Sequence, residues 1–292
     1  MAGKFSSFIV NNFSSRRWQK RLLKPFLPET ASIYVLEGEA EIFYSPRAMK
    51  GPSFDISNKK EKGFLSYEEQ SKNALLSKIP QNGVLYDIGA NIGLFSTFIG
   101  IKRPDINIHS FEPEPRAFEC LHQSASTLKN KNVHVHNFAL GRENKSMELH
   151  RSSINDGGHT LVPVRSSFSE KDRTTESIEL KNIQNLIDTG EIVEPNALKI
   201  DVEGFENEVL LSLLSSLKRH LPVMLIELNN QEVANKGGTF QTITSIYSKD
   251  SSCKFDTPEH SHRSVELNLL PKIAKSLHED GHILSNYLFY KG

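Results

Sequence analysis

The sequence comprises 292 residues, of which 37% are hydrophobic and 24% charged, with 35 basic and 35 acidic side chains. A chain of this length buries enough surface to fold without a disulfide or structural metal, and its two cysteines form no paired motif, which favours free thiols. The balanced charge leaves no broad basic field, which disfavours a nucleic-acid partner.

The first 63 residues are interpreted as an extension made of a basic arm and a β-hairpin. Residues 1–28 contain six basic and no acidic side chains, and we predict a helical arm that ends at Pro25 and Pro28. No apolar run is long enough for a secretory signal or a membrane span, so a cytoplasmic location is expected. The arm is compatible with peripheral contact to an anionic membrane or with an organelle transit peptide, although a solvated helix packed beside the domain is favoured.

A hairpin is predicted after the arm. The strand-like runs Ile33–Leu36 and Glu41–Tyr44 flank the turn-forming pair Glu37-Gly38. Residues 45–63 are rich in Gly, Pro, Ser, Asn and Lys and are predicted to form a loop.

Residues 64–292 are interpreted as one α/β domain, because strand-like and helical segments alternate along it. A capping-box spacing between Ser66 and Glu69 predicts a helix that runs to about Lys78. Strands are predicted at Val84–Tyr86, Ile106–Phe111, Val133–Phe138, Ala197–Ile200, Pro222–Ile226 and Asn286–Tyr290. Helices are predicted at Leu94–Ile101, Pro115–Leu128, Phe205–Arg219, 240–247 and 271–279. This order indicates a mostly parallel sheet with helices on both faces, and residues 146–182 are expected to form an insertion of hairpins.

Acidic residues follow four of the predicted strands, namely Asp87, Glu112, Asp201 and Glu227. Ligands of open α/β sheets bind beyond the carboxyl ends of the strands, so four acids there predict an organised polar site. Capping of the following helices is the alternative interpretation, because Asp and Glu favour helix N-termini.

The loop after the first domain strand reads Asp87-Ile-Gly-Ala-Asn-Ile-Gly93. Its glycines allow close approach to a ligand, and the helix that follows offers free N–H groups to a carboxylate. Glu112 lies nineteen residues beyond Gly93, where a carboxylate can accept ribose hydroxyls. A dinucleotide fingerprint needs a third glycine where Asn91 stands, and a phosphate loop needs a Gly-Lys-Ser/Thr sequence that is absent here.

With this loop, the motifs Phe111-Glu112-Pro113, Ala139-Leu140-Gly141, Leu198–Glu206 and Asn286-Tyr-Leu-Phe make the sequence resemble the FkbM family of methyltransferases over about residues 64–292. The resemblance implies a class I methyltransferase fold with a seven-stranded, mostly parallel sheet whose last strand is antiparallel. It implies S-adenosylmethionine as methyl donor, and usually O-methylation, often of sugars. Leu180-Lys-Asn departs from a Leu-Asp pair expected there, which leaves the donor site untouched but puts details of the insertion in doubt.

The same motif match implies a donor site. It places the methionine end against Asp87, Gly89, Ala90, Asn91 and Gly93. It places the ribose at Glu112 and the adenine near Asn137, Phe138 and Ala139, although the residue type alone favours a place in the core for Phe138.

The acceptor side is predicted from the fourth motif and from one loop. Asp201 is the expected base, and Glu203 is expected to position the acceptor or the ammonium of the donor, with helix capping as its alternative role. His159, in Asn155-Asp-Gly-Gly-His-Thr160, is the candidate for contact with the acceptor, with a surface or structural role as the alternative that most histidines have. Asp201, Glu203 and Glu227 have oxygens that suit Mg²⁺, but methyl transfer requires no metal and none is predicted.

A small-molecule or glycan acceptor is therefore predicted, with the sugar hydroxyl favoured by resemblance alone. Methyltransferases acting on base amines often carry Asn/Asp-Pro-Pro-Tyr/Phe after the fourth strand, whereas this chain has Asp201-Val-Glu-Gly204. A nicotinamide-dependent oxidoreductase and a non-catalytic binding module remain as competing hypotheses. The oligomeric state stays open.

Overall fold

The computed structural model describes residues 24–152, 155–162 and 173–292, so most of the predicted basic arm lies outside the described residues. After a short 3₁₀ turn at Lys24–Phe26, strands β1 (Ala31–Val35) and β2 (Ala40–Tyr44) pair as an antiparallel hairpin. Backbone N–H groups of Glu41 and Phe43 donate to the hydroxyls of Thr127 and Ser124, both at 3.0 Å. The hairpin is thereby fastened to the α/β domain.

Three helices follow, and they correct two predictions for this region. Helices α1 (Pro52–Lys59) and α2 (Glu61–Ser66) occupy most of the predicted loop, because Gly51 and Pro52 begin a helix whose apolar side chains are buried. Helix α3 (Glu69–Lys78) starts after the left-handed residue Glu68 and has no side-chain cap. The predicted capping box at Ser66 is therefore wrong, since Ser66 ends α2, and the predicted boundary after residue 63 falls inside α2.

The remaining elements alternate largely as predicted. The first half contains β3 (Val84–Ile88), α4 (Leu94–Lys102), β4 (Asn107–Phe111), α5 (Pro115–Thr127), β5 (Val133–His136), β6 (Ala139–Gly141), β7 (Lys145–Ser152), β8 (Arg173–Asn182) and α6 (Ile183–Asp188). The second half contains β9 (Ala197–Ile200), α7 (Glu206–Ser212), α8 (Leu214–His220), β10 (Val223–Asn229), α9 (Asn230–Ala234), α10 (Gly238–Tyr247), β11 (Cys253–Asp256), β12 (Val265–Glu266), a 3₁₀ turn at Leu267–Leu269, α11 (Leu270–Glu279) and β13 (Leu284–Lys291).

Within the described residues, eight strands form the main sheet in the order β12-β11-β13-β10-β9-β3-β4-β5. The pairs from β10 to β5 are parallel, and β13 runs antiparallel to β10 and to β11. This confirms the predicted fold class, with β12 as an additional two-residue edge strand. One predicted helix, Phe205–Arg219, is divided at Leu213 into α7 and α8.

Helices cover both faces of the sheet. Successive side chains of a strand point to opposite faces, so neighbouring residues pack into different layers. Tyr86 of β3 belongs to a buried cluster that includes side chains of α7, α8, α10 and α11. Its neighbour Leu85 belongs to a second cluster, which includes side chains of α3, α4, α5 and the hairpin. Cys120 and Cys253 are buried free thiols, as predicted.

A second, smaller sheet has the order β6-β8-β7. Strands β7 and β8 pair antiparallel from Lys145↔Leu180 to Ser152↔Arg173, which agrees with a hairpin in residues 146–182. The parts of the predicted insertion at 153–154 and 163–172 lie outside the described residues. Among the described helices, none combines the length and apolar character needed to cross a membrane.

Candidate functional site

A cavity with about 1030 Å³ of space, including its open mouth, lies beyond the carboxyl ends of β3, β4 and β9. The structure brings nine of the twelve predicted site residues to its wall: Gly89, Ala90, Asn91, Glu112, Phe138, Ala139, His159, Asp201 and Glu203. Asp87, Gly93 and Asn137 do not line it. The parallel strands thus gather side chains from distant parts of the sequence at one edge of the sheet.

The loop after β3 has an unusual backbone. Gly89, Asn91 and Gly93 have φ values of 77°, 50° and 84°, in a region that glycine adopts easily. The N–H groups of Gly89 and Ala90 both donate to the carbonyl of Phe111, at 3.0 and 3.1 Å. A β-carbon on Gly89 would lie 1.9 Å from the carbonyl oxygen of Asp201, so this position has no room for a side chain.

Two residues of this loop, Asp87 and Gly93, are packed inside the protein and do not line the cavity. Asp87 is fully buried, accepts a hydrogen bond from the hydroxyl of Ser96 at 2.5 Å, and has a pKa raised by burial. Gly93 packs closely against α5, since a β-carbon there would lie 2.6 Å from Cδ1 of Leu121. The expectation that Asp87 and Gly93 line the methionine end is therefore corrected.

Glu112 is held at the end of β4 by two backbone hydrogen bonds. Its carboxylate oxygens accept the N–H groups of Asn91 and Glu114, each at 2.8 Å. Burial raises its pKa to about 7. The amide of Asn137 donates to the carbonyl of Glu112 at 2.9 Å, so Asn137 supports the backbone here and stays outside the cavity.

The wall beside Glu112 is apolar. Phe111 and Phe138 line it with ring centroids 5.7 Å apart, and Ala139 and Leu140 extend the surface. The ammonium of Lys181 lies 4.5 Å from the centre of the Phe138 ring. A flat, apolar group can pack against such a surface.

Three carboxyl groups converge in the same cavity. Asp201, Glu203 and Glu227 each offer an oxygen within 4.8 Å of the other two. Glu203 and Gly204 have φ values of 52° and 101°, and this turn brings Asp201 and Glu203 to the same cavity. Burial, followed by the charge of Asp201, raises the pKa of Glu203 to about 8 and that of Glu227 to about 9.

The structure corrects two expectations about these acids that came from the sequence. Glu227 lies within β10, two residues before its end, not beyond the strand. Glu203 does not cap the following helix, since Phe205 is the N-cap of α7 and Gly204 N–H donates to Glu206 at 2.9 Å. Three oxygens at this spacing could also hold a divalent cation, but Lys199 already supplies a positive charge 3.2 Å from Asp201.

Three polar side chains of the wall were not predicted from the sequence: Tyr67, Glu68 and Lys199. Glu68 has a φ of 44°, and burial raises its pKa to about 7. The amide of Asn286, on β13, lies 3.4 Å from its carboxylate. For Lys199 a signal existed, because a lysine inside the apolar run Ala197–Ile200 requires a buried partner.

His159 lines the cavity from the loop at residues 155–160. Its Nδ1 accepts the N–H of Ser152 at 3.2 Å, which places the ring proton on Nε2. Burial and then the charge of Arg151 lower its pKa to about 4. With this tautomer and this lowered pKa, His159 is a neutral hydrogen-bond donor. The hydroxyl of the next residue, Thr160, donates to the carbonyl of Glu203 at 2.6 Å.

The family model described as the methyltransferase FkbM domain matches residues 87–257, more than half of the chain. The chain belongs to the FkbM methyltransferase family. The matched segment is the methyltransferase domain of this family.

Three relatives show how far the likeness extends. The hexuronic acid methyltransferase AglP of Haloferax volcanii is 28% identical over 153 residues, 52% of this chain and 58% of that protein. The 31-O-demethyl-FK506 methyltransferase FkbM of Streptomyces tacrolimicus is 29% identical over 154 residues, 44% of this chain and 58% of that protein. The crystal structure of a methyltransferase FkbM from Methylobacillus flagellatus has a TM-score of 0.41 and 15% identity, and covers 75% of this chain and 50% of that one. The chain thus spans between 50% and 58% of the length of these three proteins.

Proposed function

We propose that this enzyme methylates a hydroxyl group of a sugar or glycan-type acceptor. The observation that carries the proposal is the convergence of Asp201, Glu203 and Glu227 on one cavity. Carboxyl groups accept hydrogen bonds when ionised and also donate them when protonated, so a set in mixed states suits an acceptor with several hydroxyls. The hexuronic acid named for the Haloferax relative also supports a sugar-type acceptor.

The cavity fits the donor, and we assign its wall accordingly. Gly89, Ala90 and Asn91 would lie against the methionine part, because the loop leaves no side chain at Gly89. Glu112 has lone pairs beyond its two backbone bonds and would accept the ribose hydroxyls. Phe138 and Ala139 would pack against the adenine.

Asp201 is the proposed proton acceptor. When bound, S-adenosylmethionine supplies a methyl group on a positively charged sulfur, and its transfer to the acceptor oxygen leaves a neutral thioether and releases the hydroxyl proton. Glu203 and Glu227 have pKa values of about 8 and 9, so at neutral pH they carry protons and donate hydrogen bonds. Asp201, whose carboxyl oxygen lies 3.2 Å from the ammonium of Lys199, is the group proposed to take the proton, and the Nε2–H of His159 orients the acceptor.

A hydroxyl fits this cavity better than an acceptor carboxylate does. Burial beside other acids already disfavours the ionised forms of Glu68, Glu203 and Glu227. An anionic acceptor would meet the same desolvation and the same charge of Asp201. We therefore propose an ether product, although the named acceptor of the Haloferax relative is an acid.

The test is a transfer assay with isotope-labelled S-adenosylmethionine and a panel of glycosides that includes matched neutral sugars and uronic acids. Mass spectrometry locates the label, and mild alkali distinguishes an ether, which survives, from a methyl ester, which is hydrolysed. We expect an alkali-stable methyl ether, and a loss of about 10²-fold or more in kcat for Asp201→Asn. A methyl ester, an N-methyl product, or full turnover by Asp201→Asn would contradict the proposal.

A further inference from the structure

Lys199 is a buried lysine that links the two loops of the cavity. It lies in the middle of β9 with 6% of its surface exposed. Its ammonium donates to the carbonyl of Gly89 at 3.1 Å and to Oδ2 of Asp201 at 3.2 Å. One side chain thus holds the glycine loop after β3 and the acidic loop after β9.

The ammonium of Lys199 has a third neighbour, the carboxylate of Asp87. Asp87 is the register partner of Lys199 on β3, and its Oδ1 is 3.8 Å from the ammonium. That oxygen makes no hydrogen bond within the described residues, so Lys199 is the neighbour that compensates its charge. Burying a charge is costly unless it is paired, and here one cation is paired with two carboxylates.

The side chain of Lys199 is protonated in this environment. Burial by itself lowers the pKa of Lys199, but the charges of Asp201, Asp87 and Glu68 outweigh burial and raise the pKa above its usual value. The ammonium therefore stays protonated throughout the range in which enzymes are assayed.

We propose that Lys199 is a positioning residue that fixes the donor loop and Asp201 relative to each other. Through the carbonyl of Gly89 it sets the shape of the loop that receives S-adenosylmethionine, and through Asp201 it holds the carboxylate facing the acceptor. The second effect rests on the proposed role of Asp201, whereas the first concerns donor binding alone. Loss of the ammonium would weaken donor binding even in a folded protein.

Lys72 provides a matched control, because it is also a buried lysine. Its ammonium donates to the carbonyls of Phe64 and Leu65 at 2.6 and 3.2 Å and lies 4.7 Å from the centre of the Phe98 ring. It does not line the cavity. Lys72→Met removes a buried lysine side chain whose hydrogen bonds go to neither of the two loops.

The experiment measures the affinity for S-adenosylmethionine by calorimetry, together with thermal unfolding, so no acceptor is needed. Lys199→Met leaves Asp87 buried without a counter-charge and is expected to lower stability. Asp87→Asn/Lys199→Met removes both charges and keeps the fold testable. We expect this double variant to regain thermal stability relative to Lys199→Met and still to bind the donor about tenfold more weakly than the wild type does.

Two comparisons separate positioning from a purely structural role. Lys72→Met is expected to lower the melting temperature and leave donor affinity unchanged. In an Asp201→Asn background, Lys199→Met is expected to weaken donor binding by about the same factor, because the hydrogen bond to the Gly89 carbonyl is independent of the Asp201 side chain. Wild-type affinity in a folded Asp87→Asn/Lys199→Met variant, or an equal loss in Lys72→Met, would overturn the proposal. Since donor binding is the readout, a failed acceptor screen would contradict only the proposed function.

Discussion

The carbonyl oxygen of Asp201 lies 1.9 Å from the point that a β-carbon on Gly89 would occupy. The loops after β3 and β9 therefore meet backbone to backbone, and Lys199 spans the same contact. In the proposed function, Gly89 receives the donor and Asp201 faces the acceptor. Their contact would then set the distance over which the methyl group moves, and in-line transfer depends strongly on that distance.

Gly89→Ala tests this contact. The added β-carbon would collide with the Asp201 carbonyl, and the loop must also keep a φ of 77°. Gly190→Ala is the control, because Gly190 has a φ of 75° and nothing lies within 4 Å of the added carbon. The control is expected to lose only about 1–2 kcal/mol of stability and to bind S-adenosylmethionine normally. We expect Gly89→Ala to lose measurable binding by calorimetry, and equal affinities of the two variants would refute the contact argument.

Glu112→Ala tests the proposed ribose site. Removing the carboxylate leaves the N–H groups of Asn91 and Glu114 without an acceptor and removes the proposed partner of the ribose. We expect donor affinity to fall about 10- to 100-fold. Glu114→Gln is the control, because Glu114 is buried next to this site and caps α5 through Ala117 but does not line the cavity. If the control weakened donor binding as much as Glu112→Ala did, the ribose assignment would fail.

His159 yields a prediction about protonation. Because its pKa is lowered to about 4, the imidazole is neutral in neutral solution, and we expect the pH profile of kcat/KM to show no step of His159 near its ordinary pKa of about 6.5. His159→Leu removes the Nε2–H donor, whereas His159→Gln keeps a side-chain N–H near the same place. We expect His159→Leu to raise the acceptor KM about tenfold and change kcat less, with partial recovery in His159→Gln. A step near pH 6.5 that disappears in His159→Gln would show instead that this histidine titrates during catalysis.

Much of the fold could be predicted from the sequence, because the central strands are short apolar runs followed by polar loops. Val84–Ile88 and Ala197–Ile200 are buried at nearly every position, which makes them easy to recognise. Helices α1 and α2 were missed because Gly51 and Pro52 resemble loop residues, although Pro is favoured in a first helical turn. Strand β11 has only four residues and becomes a strand by pairing with β13. Such pairing is tertiary and leaves little local pattern.

The candidate site was also predictable only in part. Gly89, Glu112 and Asp201 follow strands of one parallel sheet, so topology alone predicts their approach. Tyr67 and Glu68 reach the same cavity from the turn between α2 and α3. Their arrival depends on how the N-terminal helices pack against the sheet, which no local spacing encodes. Asp87 shows the opposite case, because its place in the motif predicted a cavity residue and its burial makes it a partner of Lys199.

Glu227 makes the stability of the free enzyme depend on pH. Its carboxyl has a pKa of about 9 in the folded protein, raised by burial and then by the charge of Asp201, compared with about 4.3 in an unfolded chain. Between these values the folded state retains a proton that the unfolded state has lost, so the free energy of unfolding falls as the pH rises. Glu227→Gln holds no titrating proton and should gain stability relative to the wild type between pH 7 and 9, by up to about 1.4 kcal/mol per pH unit. Urea unfolding at several pH values, without donor, measures the difference. Glu279→Gln, at an exposed glutamate of α11, is the control, and its free energy of unfolding should change with pH in parallel with that of the wild type. A parallel curve for Glu227→Gln as well would show that Glu227 is ionised in the folded enzyme.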